Sequence, residues 1–212
     1  EYSTVGMRVT EEGRITVQCA LHDLGCGANT TLLQIAAEVL AQAPQQFDIT
    51  PSDTDLTGYD IGTRASRMTY ILGEAFRRTA VVLREAILTT AARFMNCAPS
   101  DLDLRDGAIH RISVPQGVMQ LFALMQTLAV RGGPLPAVTH TYAATANPSS
   151  YAAHFAGVEV DCLTGRVRVK DYMAAHDVGR AINPMLVEGQ IHGGIQAGIG
   201  YALFEDVEID GE

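Results

Sequence analysis

The sequence predicts an α+β fold, with mixed and antiparallel strands packed against helices, and three observations lead there. Short segments that alternate apolar and polar residues read as half-buried strands. Longer segments with apolar residues at helical spacing read as amphipathic helices, and one strand–turn–helix unit occurs twice. The 212 residues suffice for a large domain with its own core, and 47% hydrophobic against 18% charged residues is the balance of a globular chain.

The first element is a strand over 14–21, where Ile15, Val17, Cys19 and Leu21 share one face. Gly25-Cys26-Gly27-Ala28-Asn29-Thr30 follows as a turn, with Asn29 or Thr30 placed to cap a helix that carries Leu32, Leu33, Ile35, Ala36, Val39 and Leu40 and stops before Pro44. A short strand over 47–49 leads into a polar loop, 52–67, and the longest helix is predicted from about Met68 to Met95. This helix is apolar enough to need cover from elsewhere, so apolar surface is expected to be exposed or used in self-association. Asp106-Gly107 marks a hairpin. A helix is read over 116–130, closed by Gly132-Gly133-Pro134, and then a strand over 138–144.

Two more alternating segments, 155–160 and 166–175, meet across Leu163-Thr164-Gly165 as a second hairpin. Asn183-Pro184 opens a last helix reaching about Phe204, with Pro184 in the first turn where its missing N–H costs nothing. That helix carries Gly189, Gly193, Gly194, Gly198 and Gly200. At about 1 kcal/mol each against alanine, these glycines predict that another helix or a ligand approaches the backbone closely.

The repeat is specific in its spacing. Gly13-Arg14-Ile15-Thr16-Val17 precedes His22-Asp23-Leu24-Gly25 and, four residues on, Asn29. Gly165-Arg166-Val167-Arg168-Val169 precedes His176-Asp177-Val178-Gly179 and Asn183 at the same His-to-Asn spacing. Both turns put backbone N–H groups at a helix N-terminus, where orphan donors and the positive dipole end suit an anion. The plainer reading is that Asn29 and Asn183 cap helices. A metal reading of the two His-Asp pairs requires the histidines of both repeats to converge, because neighbouring side chains on an extended segment point apart. Turn aspartates that satisfy local backbone are the commoner outcome. The breaker 132–136 is a candidate subdomain boundary near 131–136. The two copies of the repeat straddle it, so a single domain over 1–212 is expected.

Composition narrows the partners. A formal charge of −9 without a basic run argues against nucleic-acid binding through phosphate neutralisation. No apolar stretch nears the roughly 20 residues of a membrane span, and residues 1–4 lack a signal-peptide profile. Cys19, Cys26, Cys97 and Cys162 are scattered, which fits a cytoplasmic protein and supplies neither a zinc framework nor iron–sulfur ligands. The chain lacks an initiator Met and is expected to begin within a longer protein.

Three blocks carry a family resemblance. Ala20-Leu21-His22-Asp23-Leu24-Gly25-Cys26-Gly27, with the helix after it, resembles the "D-x-G-Q-G-x-x-T" turn of the molybdenum subunits of the xanthine dehydrogenase and aldehyde oxidase family. Asp53-Thr54, then Gly62-Thr63-Arg64-Ala65-Ser66-Arg67-Met68-Thr69, resembles its "D-T … G-T-x-x-S-R-x-T" segment. His154-Phe155-Ala156-Gly157-Val158-Glu159-Val160-Asp161, running through Ala175-His176-Asp177-Val178-Gly179-Arg180-Ala181-Ile182-Asn183-Pro184 to Glu188-Gly189-Gln190-Ile191-His192-Gly193-Gly194, is similar to its most specific block.

The resemblance implies a molybdopterin-binding fold and a molybdenum–molybdopterin cofactor, in bacteria often the cytosine dinucleotide form. By position, Gly25, Cys26 and Gly27 match the turn whose backbone approaches the cofactor. Ala65, Ser66 and Arg67 match the loop that holds its phosphate end, and Gln190 matches a glutamine near the metal-side ligands. Cys26 stands where most relatives have Gln, so contact there is expected through backbone. No catalytic residue is assigned, because the family's general base is a glutamate in a "G-x-G-E" motif expected beyond Glu212. The implied partners are the remaining part of the molybdenum subunit, iron–sulfur and FAD modules, and a small-molecule substrate: a purine, another N-heterocycle or an aldehyde. Alone, the chain is expected to be inactive and without cofactor. The alternatives are the hydroxybenzoyl-CoA-reductase-like branch, a non-catalytic scaffold with the family fold, and, more distantly, a metal-dependent hydrolase.

Overall fold

A computed structural model describes residues 1–146 and 148–209. The chain divides into two compact units, Glu1–Thr145 and Ala146–Glu212.

In the first unit the core is built on β1 (Tyr2–Val9), which alternates strictly and buries Ser3, Val5, Met7 and Val9. It pairs antiparallel with β2 (Ile15–Gln18) on one side and with β7 (Ala137–Ala143) on the other, and β2 pairs parallel with β3 (Phe47–Thr50), giving the order β3-β2-β1-β7. Ile15 and Val17 face the core as the alternation predicted, and Cys19 and Leu21 remain buried although the strand ends at Gln18.

Helices α1 (Ala28–Leu40) and α2 (Gly73–Met95) pack on each other, and α2 lies against β1 and β7. A π-helical turn, Met68–Leu72, leads into α2. The apolar stripe of this long helix is covered from within its own unit: Ile71, Leu72, Ala75, Phe76, Ala80, Leu83, Ile87 and Ala91 are all buried, which corrects the expectation that its cover comes from elsewhere. Arg84 on α2 donates to the carbonyls of Val39 and Leu104 and pairs with Asp103. It thereby satisfies an end carbonyl of α1 and fastens β4 (Leu102–Arg105) to both helices.

β4 and β5 (Ala108–Arg111) form the hairpin expected at Asp106-Gly107, whose two residues both have positive φ, 46° and 75°. The predicted helix 116–130 is instead β6 (Val118–Gln120), paired with β5, followed by α3 (Leu121–Val130). Edge pairing overrides helical periodicity in these first residues, and Gln120, extended at φ −65° and ψ 136°, ends the strand and starts the helix. The division between units falls beyond the 132–136 breaker because β7 returns to pair along β1 from Tyr2 to Arg8.

The second unit contains the hairpin of β8 (Tyr151–Val160) and β9 (Val167–Asp177), bulged at Gly157/Val158, and α4 (Pro184–Leu203). Phe155 (65%), Met173 (68%) and Phe204 (80%) are exposed. Asp210, Gly211 and Glu212 lie outside the described residues.

Phe76 has no exposed surface and fills the space between α2 and its neighbours. Phe76→Ala is expected to lower stability by about 3–5 kcal/mol, through lost transfer energy and the cavity left behind. Chemical denaturation followed by circular dichroism reads the change. A loss below about 1 kcal/mol would show that this core position is not packed as described.

Candidate functional site

Two of the sequence motifs lie side by side in the first unit. The turn after β2 is organised by Asp23. Its Oδ1 accepts hydrogen bonds from the N–H groups of Gly25 (3.0 Å) and Gly27 (3.1 Å), and its Oδ2 from that of Asn29 (3.2 Å). The Cys26 thiol also points to this carboxylate, at 3.8 Å. The helix starts from Gly27 in the left-handed region (φ 72°), and no side chain at that position caps it. Asn29 is therefore inside the first turn and is not its cap. Asp23, four residues upstream of Gly27, holds the donors that the sequence left for an external anion.

Partial burial pushes the Asp23 carboxyl up. The bonds from Asn29, Gly25 and Gly27 and from the Cys26 thiol outweigh that effect and hold it below its ordinary value. The sign is that of a depressed carboxylate. Its contribution is fully present above the unfolded value of about 3.9 and is lost as pH falls through the lower folded value.

The second copy of the repeat is built on the same local plan. Asp177 Oδ1 accepts from the Gly179 N–H (3.0 Å), and Gly25 and Gly179 both take positive φ, 96° and 61°. Here the asparagine does cap the helix, since Asn183 Oδ1 accepts from the Leu186 N–H. His176 lies edge-on to His154 at 4.8 Å between ring centroids, and His154 Nδ1 is 3.0 Å from the Tyr172 hydroxyl. Among the described residues no group of three or more His, Cys, Asp or Glu could hold a metal ion.

The second motif is a loop closed at its base by a buried ion pair. Arg67 Nη1 donates to Asp60 Oδ1 at 2.6 Å, and the two side chains are 2% and 3% exposed. Nη1 also donates to the Gly62 carbonyl, Nη2 to the Tyr2 carbonyl and the Ser3 hydroxyl, and Nε to Glu1. Asp60 in turn accepts from Ser3 Oγ (2.5 Å) and the Gly62 N–H (2.8 Å). Between these anchors Gly62 (φ 85°), Ala65 (φ 47°) and Ser66 (φ 55°) all take left-handed conformations. For the two non-glycine residues this costs on the order of 1–3 kcal/mol each, and the surroundings must hold them there.

The Thr63 hydroxyl donates to the His22 carbonyl at 2.5 Å and joins this loop to the Asp23 turn. Ser52 Oγ does the same from the loop's start, donating to the Leu21 carbonyl.

The predicted residues thus fall in three settings. Gly25 is exposed and Cys26 and Gly27 are half-buried beside it, Ala65 and Ser66 are exposed on the joined loop, and Gln190 is exposed on α4 of the second unit. Arg67 belongs to the loop, but its guanidinium turns inward. Freeing it for an external anion would strand a buried Asp60, at about 3–5 kcal/mol. The loop's exposed guanidinium is that of Arg64, 60% exposed and 3.6 Å from Glu1. Sequence reasoning missed Asp60 and Ser3, and it missed the anchoring role of Thr63 although that residue stands in the motif. Asp60 and Arg67 are seven apart in a loop, where no periodicity marks partners, and Ser3 reaches them only through the sheet.

The glycine-rich helix leaves much of its backbone open. Within its own unit nothing lies within 4 Å of where a Cβ would stand at Gly189, Gly193, Gly194 or Gly198. A cavity of about 640 Å³ lies between Tyr172 and Ala174 of β9 and Ile191, Ile195 and Ile199 of α4. In the first unit a concavity of about 750 Å³ at the C-terminal end of α1 contains none of the predicted site residues.

The comparisons with known proteins agree with the motifs. The model of the molybdopterin cofactor-binding domain matches residues 1–212, and the chain belongs to that family. It is 34% identical over 215 residues to the xanthine dehydrogenase molybdenum-binding subunit of Escherichia coli O157:H7, covering 99% of this chain and 28% of that protein. It is 31% identical to the nicotine 6-hydroxylase large subunit of Paenarthrobacter nicotinovorans, covering 99% and 26%. Among solved structures it is similar to quinoline 2-oxidoreductase from Pseudomonas putida 86, with a TM-score of 0.84 and 34% identity over 99% of this chain and 28% of that one. The chain therefore spans little more than a quarter of the length of these relatives.

Two outcomes check the local geometry. Asp23→Ala is expected to cost roughly 1 kcal/mol at neutral pH, as loss of a helix-capping carboxylate does. The gap to the wild type should close as pH falls below about 4; a gap independent of pH in urea titrations would contradict the charge-based account. Burial, with the Asp60 charge as a lesser cause, pushes the Cys19 thiol up to about 12, whereas Cys162 is exposed. Iodoacetamide followed by peptide mapping should label Cys162 in the native protein and Cys19 only after unfolding.

Proposed function

We propose that this chain supplies part of the molybdopterin cleft of a molybdenum-dependent oxidoreductase, a hydroxylase of N-heterocycles or aldehydes. The observation that carries the reading is the Thr63–His22 link, which joins the two loops bearing family motifs in a chain matched throughout by the molybdopterin-binding family.

The donor set fits such a group. Ser66 offers an exposed hydroxyl, and Ala65 and Ser66 form an exposed left-handed turn closed by the bond from the Arg67 N–H to the Arg64 carbonyl. At Gly25 and Gly62 a Cβ would stand in open space with positive φ, so both loops present bare backbone. Because Asp23 already holds the donors of Gly25 and Gly27, that turn suits the neutral part of the cofactor better than a phosphate.

In this reading Ala65 and Ser66 hold the phosphate end, with Arg67 contributing as part of the same loop. Gly25, Cys26 and Gly27 border the pterin, and Gln190 stands toward the metal-side ligands. When bound, the cofactor supplies the two-electron redox chemistry, and this chain's residues bind and orient it. Residues 1–212 act as one molybdopterin-binding domain. The rest of the molybdenum subunit, iron–sulfur and FAD modules and a small-molecule substrate complete the enzyme. Its setting is the cytoplasm, consistent with four unpaired cysteines. Among the described residues no helix is long and apolar enough to cross a membrane.

The test is elemental analysis and pterin fluorescence on the full-length protein purified from its own host. Molybdenum and pterin near one per chain are expected. A folded full-length preparation with neither would overturn the reading in favour of a cofactor-free scaffold.

A further inference from the structure

We propose that Asp60 and Arg67 are a positioning pair for the loop 61–66. They hold Ala65 and Ser66 in the left-handed conformation the cofactor requires, so Arg67 acts through the loop and its guanidinium is not itself an anion ligand. The inference rests on the function proposed above but is carried by the loop's own geometry.

All three guanidinium nitrogens of Arg67 are committed to partners in its own unit, and both carboxylate oxygens of Asp60 are in use. With both side chains almost fully buried, no anion from outside reaches Arg67 unless Asp60 is displaced. The pair spans the loop from base to base, and Gly62 is drawn in by both its N–H, given to Asp60, and its carbonyl, accepting from Arg67. Inside this closure sit two non-glycine residues in a conformation L-residues avoid. The bond from the Arg67 N–H to the Arg64 carbonyl braces their turn. The Thr63–His22 bond holds one arm of the loop, and the ion pair closes its base against relaxation.

A ligand role and a positioning role predict opposite consequences for Asp60. If Arg67 bound the phosphate directly, removing the competing carboxylate would free the guanidinium and cofactor retention would hold or rise. If the pair positions the loop, the same change loosens residues 61–66 and retention falls, as it does when Arg67 itself is lost.

The experiment uses the full-length protein with Asp60→Asn, Arg67→Gln, Ser3→Ala and the double variant Asp60→Asn/Ala65→Gly. Hydrogen exchange is read on cofactor-stripped protein, and pterin per chain is read on the monodisperse fraction of untreated protein. Asp60→Asn and Arg67→Gln should each speed amide exchange at 61–66 by roughly tenfold or more while the α2 core is unchanged, the signature of local opening. Each should lower pterin retention to a similar degree.

Ser3→Ala removes two bonds of the network, one to each member of the pair, but leaves the ion pair itself in place, and it should move both readouts in the same direction by less. It keeps the test alive if Asp60→Asn fails to fold. Ala65→Gly, which relieves the left-handed strain, should restore much of the retention lost in Asp60→Asn. A merely structural role of the pair would not give that rescue.

Unchanged exchange at 61–66 in Asp60→Asn and Ser3→Ala, or unchanged or higher pterin retention in Asp60→Asn, overturns the proposal. If the wild type holds no pterin, the proposed function fails separately and the exchange measurement alone decides the positioning role.

Discussion

Strand β1 is the constraint on which the rest of the first unit depends. It is paired on both edges, so its position in the sheet is set by ladders to β2 and β7 and its buried face by strict alternation. That alternation places Val5, Met7 and Val9 in the core and Ser3 at its margin, fully buried. A buried hydroxyl needs a partner, and Ser3 finds two, donating to Asp60 and accepting from Arg67. Tyr2 adds its carbonyl to the same guanidinium. The sheet therefore supplies an anchor for a loop more than fifty residues along the chain, and a slip of one residue would remove that anchor along with the core face.

The polar architecture of the site is largely self-contained. Each copy of the strand–turn–helix unit carries an aspartate that accepts from the N–H of the glycine two residues on, so each turn has an anion of its own. In the first copy that aspartate also takes donors at the start of α1, which a reading from helix ends alone assigns to an external ligand. In the second copy Asn183 does the capping and leaves Asp177 to its turn. One octet of sequence is thus used in two ways, because different residues reach the first N–H groups of the following helix.

Much of the fold was legible in the sequence where a period repeats. The apolar spacing of 68–95 marked a long helix, the Asp106-Gly107 and Thr164-Gly165 turns marked hairpins, and Asn183-Pro184 marked the start of α4. β1 escaped because Ser3 stands on its buried face and leaves only Val5, Met7 and Val9 as apolar signal, and β6 escaped because Val118-Met119-Gln120 continues smoothly into the helical spacing of α3. Both are decided by strand pairing, which no local window contains. Of the candidate site, the two loops and Gln190 were assigned by motif, whereas the anchoring roles of Asp60, Ser3 and Thr63 were not legible, because Ser3 and Thr63 act on residues far away in sequence and Asp60 on one in a loop without a period.

By itself the sequence determined the molybdopterin-binding family, the α+β class and the loops that carry its motifs, because turn glycines, caps and apolar periods are local properties. Only the tertiary structure decided what those loops do with their charges. Arg67 looks from the motif like a phosphate donor. Burial beside Asp60 and Ser3 turns it inward, and Asp23 fills the turn that seemed open to an anion. The physical reason is the same in both places: a charge removed from water is directed by the nearest partner of opposite sign or complementary hydrogen bonding, and which partner is nearest is a fact of packing.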